Sequence, residues 1–233
     1  MGKLTGNHEN DQHFDIFLDF DGTITTTDVC HAMVKALAGE GWQAINQQWE
    51  NREISTVECA RQTLKTFRQQ EPEAILQIAE SIPLEKGFGA FVQAAQQAGH
   101  RLYILSDGYE LYIHHLLKKA GISLPVYANR MVFKPEMDIE TPYSEPACGQ
   151  CGVCKCKLVR RLSRNDGKSV YIGDGVSDYC PVKEVDFVFA RRQLLAHCRQ
   201  QGIAAWPFED FHQVLQQMEA LEKSMRSGTH ERQ

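Results

Sequence analysis

The stretch that most narrows what this chain can fold into is Phe14-Asp15-Ile16-Phe17-Leu18-Asp19-Phe20-Asp21-Gly22-Thr23-Ile24-Thr25. An apolar run, Ile16 to Leu18, stops at two carboxylates one residue apart, and the chain then turns at Gly22. A short apolar run closed by glycine predicts a strand buried on both faces, as in parallel sheets. Ligands of open α/β sheets bind just beyond the carboxyl ends of such strands, where Asp19 and Asp21 fall. Period-2 alternation starts both on one side of the strand, and like charges that close need a cation or a shared proton. A lone Asp-Gly reads as an ordinary turn. The second aspartate points instead to a catalytic metal site.

Helical periodicity dominates the next stretch. Asp28 to Gly41 predicts a helix carrying Val29, Met33, Val34, Leu37 and Ala38, ended by Gly39 and Gly41. A second helix covers Trp42 to Asn51, and Ser55 to Glu58 fits a capping box leading into Val57, Ala60, Leu64 and Phe67. Pro72 opens a further helix with Ile75, Ile78 and Ala79. With no strand among them, residues 28–82 read as a helical insertion closed by Pro83. Then come a helix over 87–98, a strand over 101–105 ending in Ser106-Asp107-Gly108, and a helix over 109–120. Short strands at 126–133 and 137–139 join through Lys134-Pro135. A cysteine-rich segment leads into a helix over 155–164. A strand over 168–172 ends in Gly173-Asp174-Gly175-Val176-Ser177-Asp178, and a last strand covers 186–190, followed by helices over 191–201 and 210–225. The pattern predicts an α/β fold: a doubly wound, mostly parallel, Rossmann-like core (14–27 and 83–226), a helical cap (28–82) inserted after the first strand, and loose tails (1–13 and 227–233).

Composition removes whole classes of function. A net charge of -5 gives no electrostatic reason for a nucleic acid or an anionic membrane as partner. No apolar run approaches the roughly 20 residues needed to span a bilayer, and the polar start, Met1 to His13, lacks a signal peptide's apolar core. The expected compartment is the cytoplasm, and the expected state is a monomer or homodimer. In a reducing cytosol, four cysteines crowded into one segment (Cys148, Cys151, Cys154, Cys156) suggest metal or thiol chemistry more than disulfides.

Taken in order, Asp-Phe-Asp-Gly-Thr, Leu-Ser-Asp-Gly, a lysine heading a helix, and Gly-Asp-Gly-Val-Ser-Asp resemble the haloacid dehalogenase-like phosphatase superfamily, from Phe14 to about Phe211. The resemblance implies Asp19 as a nucleophile that forms an aspartyl-phosphate and Asp21 as acid and then base. It implies Mg²⁺ held by Asp19, the Asp21 carbonyl and Asp174, with Asp178 in support. Thr23, Ser106, Asp107 and Gly108 fall at the expected phosphate pocket. Lys155, directly after Cys154, is the lysine that offsets charge, while Lys157 reads as a solvated helix residue. The cysteine-rich entry and the run Ala190 to Cys198 are similar to the branch of methionine salvage that acts on a methylthiopentenyl phosphate. Phosphoserine and phosphoethanolamine/phosphocholine phosphatases lie nearby, so the expected partner is a small phosphorylated metabolite. Ser-Asp-Gly replaces the Ser-Gly-Gly of close relatives, which leaves the substrate open.

Several residues carry two readings. Asp28 suits either a substrate contact or a helix N-cap. Trp42 and Trp49 share a helix face and suit the core of the cap, and Arg61 suits an exposed helix charge. Cys148, Cys151, Cys154 and Cys156 could hold a structural Zn²⁺, act as reactive thiolates, or pack in a reduced loop. A non-catalytic zinc or thiol regulatory protein on the same scaffold is the alternative from another class.

Overall fold

The computed structural model describes residues 13–228, apart from 52, 134–136, 148, 150 and 166. Strand β1 (Phe14–Leu18) is buried along its whole length, as its unbroken apolar pattern requires. Four helices follow: α1 (Val29–Leu37), α2 (Trp42–Glu50), α3 (Thr56–Lys65) and α4 (Pro72–Glu80). Their inward faces carry Val29, Met33, Leu37, Leu64, Ile75 and Ala79 at helical spacing. Ser55 caps α3 by accepting the Glu58 N–H at 3.1 Å, and Pro72 stands at the start of α4. Next come α5 (Phe88–Gln97), β2 (Arg101–Tyr109), α6 (Glu110–Lys119), β3 (Val126–Val132) and β4 (Asp138–Glu140). The chain ends with α7 (Lys155–Leu162), β5 (Lys168–Gly173), β6 (Phe187–Ala190), α8 (Arg192–Gln201), β7 (Trp206–Pro207) and α9 (Phe211–Gly228).

Among the described residues, seven strands form one sheet in the order β4-β3-β2-β1-β5-β6-β7. Every pairing is parallel except β3 with β4. The order reverses direction at β1, so the carboxyl ends of β1, β2 and β5 meet at the crevice where such sheets bind ligands. Register slips between Leu105 and Tyr109 at the end of β2, and bulges of this kind re-aim side chains beside sites. No described helix is long and apolar enough to cross a membrane.

The boundaries differ from expectation in places. Helix α1 stops at Leu37, ahead of both glycines, because Ala38 leaves helical geometry to bridge Phe67. Strand β2 runs on through Ser106-Asp107-Gly108 to Tyr109. At the borders of the described residues, His13 hydrogen-bonds the Ala98 carbonyl at 3.1 Å, and α9 continues through Ser227 to Gly228. Trp42 and Trp49 do not form a cap core, since α2 buries none of its residues. The Trp49 indole N–H instead donates to Thr56 Oγ1 at 3.1 Å. The Lys134-Pro135 connection lies outside the described residues.

Candidate active site

Lys155 is the first residue of α7 and shares its inward face with Leu158 and Val159, three and four places on. That spacing drives its ammonium group under the end of β1. Lys155 Nζ donates to Asp19 Oδ1 at 2.6 Å, Asp178 Oδ1 at 2.7 Å and Ser177 Oγ at 2.9 Å. Burial pulls the ammonium pKa down, but the charges of Asp178 and Asp19 outweigh it and hold it well above its usual range. Three carboxylates, Asp19, Asp174 and Asp178, offer oxygens within 4.8 Å of one another. Burial, then the charge of Asp178, pushes Asp19 up despite Lys155, and burial and Asp178 also raise Asp174. The Lys155 ammonium and the Arg192 guanidinium, which pairs with Asp174 at 2.9 Å, do not balance three carboxylates. The surplus negative charge, offered entirely by oxygen, fits a hard divalent cation such as Mg²⁺.

Asp178 differs from the other two carboxylates. Its Oδ1 accepts from Lys155 and from Tyr171 Oη (2.7 Å), and its Oδ2 accepts the N–H groups of Asp174 and Gly175 at 3.0 and 3.1 Å. It therefore holds the 173–178 loop and the lysine, and its lone pairs are already engaged. Asp174 keeps fewer partners, Thr23 Oγ1 at 3.2 Å and Arg192 Nη1 at 2.9 Å.

Asp21 faces the other side of the turn. Val29 N–H donates to its Oδ1 at 3.1 Å, and Tyr112 Oη (2.6 Å) and Ser106 Oγ (3.2 Å) donate to Oδ2. Burial first, then the Asp28 charge, pushes its carboxyl up to about 7 against these three donors. Ser106 is fully buried, and its Oγ accepts the Gly108 N–H at 2.9 Å. The turn itself needs Gly22, whose φ is +76°. Its carbonyl accepts from Arg191 Nε and Arg192 Nη1, both at 3.0 Å.

The remaining candidates fall elsewhere. Asp28 caps α1, accepting the His31 N–H at 2.8 Å, and also stands beside Asp21 and Cys30. Asp107 does not line the pocket with Ser106: its carboxylate accepts the Val153 N–H at 2.7 Å and ties down the loop before α7. Lys157 is exposed and paired with Glu145. Arg61 is no bare helix charge, since its Nε reaches Asp138 Oδ1 at 2.8 Å and links α3 to β4. Cys148 lies outside the described residues. Cys154 and Cys156 are not in disulfides, and among the described residues no three cysteines come within metal-sharing reach. Cys156 instead meets Cys180, and burial first pushes its thiol up. Tyr112, Arg191 and Arg192 were not singled out from sequence. The adjacent pair of arginines after a strand is the available signal for the last two; nothing in the sequence sets Tyr112 apart from the rest of its helix.

Paired carboxylates at a strand end, a buried lysine on one of them and a hydroxyl on the other can transfer a phosphoryl group and move a proton. The chain is a phosphatase of haloacid dehalogenase-like fold and belongs to the Putative Phosphatase family, whose model matches residues 15–219. It is 31% identical over 211 residues to the 2-hydroxy-3-keto-5-methylthiopentenyl-1-phosphate phosphatase of Bacillus mycoides (strain KBAB4), spanning 88% of this chain and 96% of that one. The protein of the same name from Geobacillus kaustophilus (strain HTA426) is 32% identical over 213 residues, spanning 89% and 96%. A phospho-aspartyl intermediate analogue of phosphoserine phosphatase superimposes with a TM-score of 0.67 at 16% identity, covering 88% of this chain and 98% of that one. At that identity the likeness speaks for the fold. Family and fold are those the four motifs led us to expect.

Proposed function

We propose that this phosphatase hydrolyses 2-hydroxy-3-keto-5-methylthiopentenyl-1-phosphate, a small phosphomonoester of methionine salvage, in two displacements through an aspartyl-phosphate. An oxygen of Asp19 attacks phosphorus while Asp21 gives its proton to the departing alkoxide. Asp21, now a carboxylate, takes a proton from water as that water attacks the phosphoenzyme and frees Asp19. Lys155 orients Asp19, favours its ionised form and offsets charge on the phosphoryl oxygens. Mg²⁺, held by Asp19, Asp174 and the Asp21 carbonyl, would supply further positive charge to those oxygens. Asp178 keeps Lys155 and the 173–178 loop in place. Helices α1 to α4, residues 28–82, act as a cap that excludes water before the phosphoenzyme forms.

The observation that carries this reading is the buried 2.6 Å contact of Lys155 with Asp19, set among two further carboxylates. The substrate rests on the names of the relatives and on their coverage of nearly the whole chain. The test is phosphate release from the methylthiopentenyl ester, phosphoserine and phosphoethanolamine, with Mg²⁺ and after chelation. Asp19→Asn should lower turnover by about 10³-fold or more, as expected for a nucleophile, and chelation should abolish it. Full turnover in Asp19→Asn would sink the mechanism, whereas a higher kcat/KM on phosphoserine would redirect the substrate alone.

A further inference from the structure

Tyr112 lies in the first turn of α6 and is wholly buried. The rest of that buried face is aliphatic: Ile113, Leu116 and Leu117. Packing alone would be served as well by phenylalanine, so the hydroxyl needs its own account. A buried hydroxyl must find partners, and this one has two. It donates to Asp21 Oδ2 at 2.6 Å, closer than Val29 N (3.1 Å) or Ser106 Oγ (3.2 Å) comes to the same carboxylate. It also lies 3.1 Å from Cys30 Sγ, on the first turn of α1. A side chain at position 108 would run its Cβ into both Tyr112 Oη and Asp21 Oδ2, so Gly108 keeps the space in which they meet. Three elements thus converge on the Asp21 carboxylate: α6 and the bulged end of β2 on its Oδ2, and α1 on its Oδ1.

We infer that Tyr112 is a positioning residue for proton transfer: its hydroxyl, braced by Cys30, fixes the orientation of the Asp21 carboxyl toward the leaving oxygen. This rests on the reading of Asp21 as the group that protonates that oxygen. As the Asp19 oxygen bonds to phosphorus, the phosphorus–alkoxide bond breaks and the Asp21 proton passes to the alkoxide. The O–H of Tyr112 stays intact and donates to the carboxylate this leaves behind. No bond to Tyr112 or Cys30 is made or broken.

The consequence is a dependence on the leaving group. p-Nitrophenolate departs without a proton, whereas an aliphatic alkoxide needs one, and kcat/KM reports only steps up to that departure. Tyr112→Phe should lower kcat/KM for the aliphatic ester turned over best in the substrate panel by about 10- to 100-fold, and for p-nitrophenyl phosphate by less than about threefold. Asp21→Asn should show the same selectivity with a larger loss. The double variant should fall no further than Asp21→Asn alone, because both changes act on one step. Cys30→Ala, which removes the brace but keeps the tyrosine, should cost the aliphatic ester about three- to tenfold with the same selectivity, and it decides the matter if Tyr112→Phe fails to fold. Selective loss in Asp21→Asn with unselective or absent loss in Tyr112→Phe and Cys30→Ala overturns the inference and leaves Asp21 as the acid. Unselective loss in Asp21→Asn overturns the role of Asp21 and this inference with it.

Discussion

Lys155 and Lys157 sit two places apart at the start of α7, and helix geometry alone separates their surroundings. Two residues along a helix are about 200° around it, so when Leu158 and Val159 face the core with Lys155, Lys157 must face solvent. Lys155→Met leaves Asp19 and Asp178 without their ammonium and should lower turnover by about 10²–10³-fold, the scale seen when one group that stabilises the transition state is lost. Lys157→Met removes an exposed pair with Glu145 and should leave turnover within about twofold. Parallel assays on one substrate check this, and equal losses would count against the assignment. The same spacing was present in the sequence, so the inward lysine could be read from residues 155, 158 and 159 without any family pattern. Asp107 could not. Its neighbours Ser106 and Gly108 do face Asp21, but the bulge at the end of β2 sends its carboxylate to Val153, and a register slip leaves no mark in a run of three residues.

Elements are joined at the amino ends of the central strands, away from the site, by Asp15, which is 1% exposed and lies opposite Arg101 in the β1–β2 register. Arg101 grips it with two bonds of 2.6 and 2.8 Å, and the Arg164 N–H just past α7 adds a third at 2.7 Å. Burial alone would raise this carboxyl, yet those bonds and the two guanidinium charges outweigh it and hold it below the usual carboxylate range. The native state therefore binds the Asp15 proton less readily than the unfolded chain. Stability from this group is fully present above its unfolded pKa of about 3.9 and is lost as pH falls through the lower native value. The stability gap between wild type and Asp15→Asn should be widest above about pH 4 and should close in more acidic solution. Urea midpoints at a series of pH values would show it, and a gap constant down to pH 2 would refute it. Asp15 escaped notice in the sequence because a charge near the start of an apolar strand looks like its solvated end. The two-residue β7 escaped because Trp206-Pro207 offers no alternation to read, and proline is confined to sheet edges.

At the scale of the molecule, the helices between β1 and β2 read in sequence as a separate body, since their apolar stripes close on one another at 3.6 residues per turn. Periodicity marks which face is buried but says nothing of what covers it. In the structure one apolar cluster runs from Ile16 and Ile104 in the sheet, through Phe20, Ile24, Tyr112 and Ile113, to Val29, Met33, Leu64, Phe67, Ile75 and Ala79. Two polar ties reinforce it: Arg61 with Asp138, and Glu80 with His115 and Lys119 at 2.6 and 3.0 Å. The polar ties are partly exposed and contribute little, so the coupling between insertion and sheet rests on the shared apolar contacts. A core that continues across the join unfolds as one unit, whereas two cores with a thin seam would melt apart. Ile75 is fully buried in α4, far along the chain from any strand. Ile75→Ala should cost about 2–5 kcal/mol and lower the melting temperature of the whole chain by roughly 4–20 °C. Calorimetry should show a single endotherm before and after the change, with sheet and helix signals lost together. A new early transition confined to residues 28–82, with the main one unmoved, would mean that the insertion folds on its own and that the shared cluster does not couple the two.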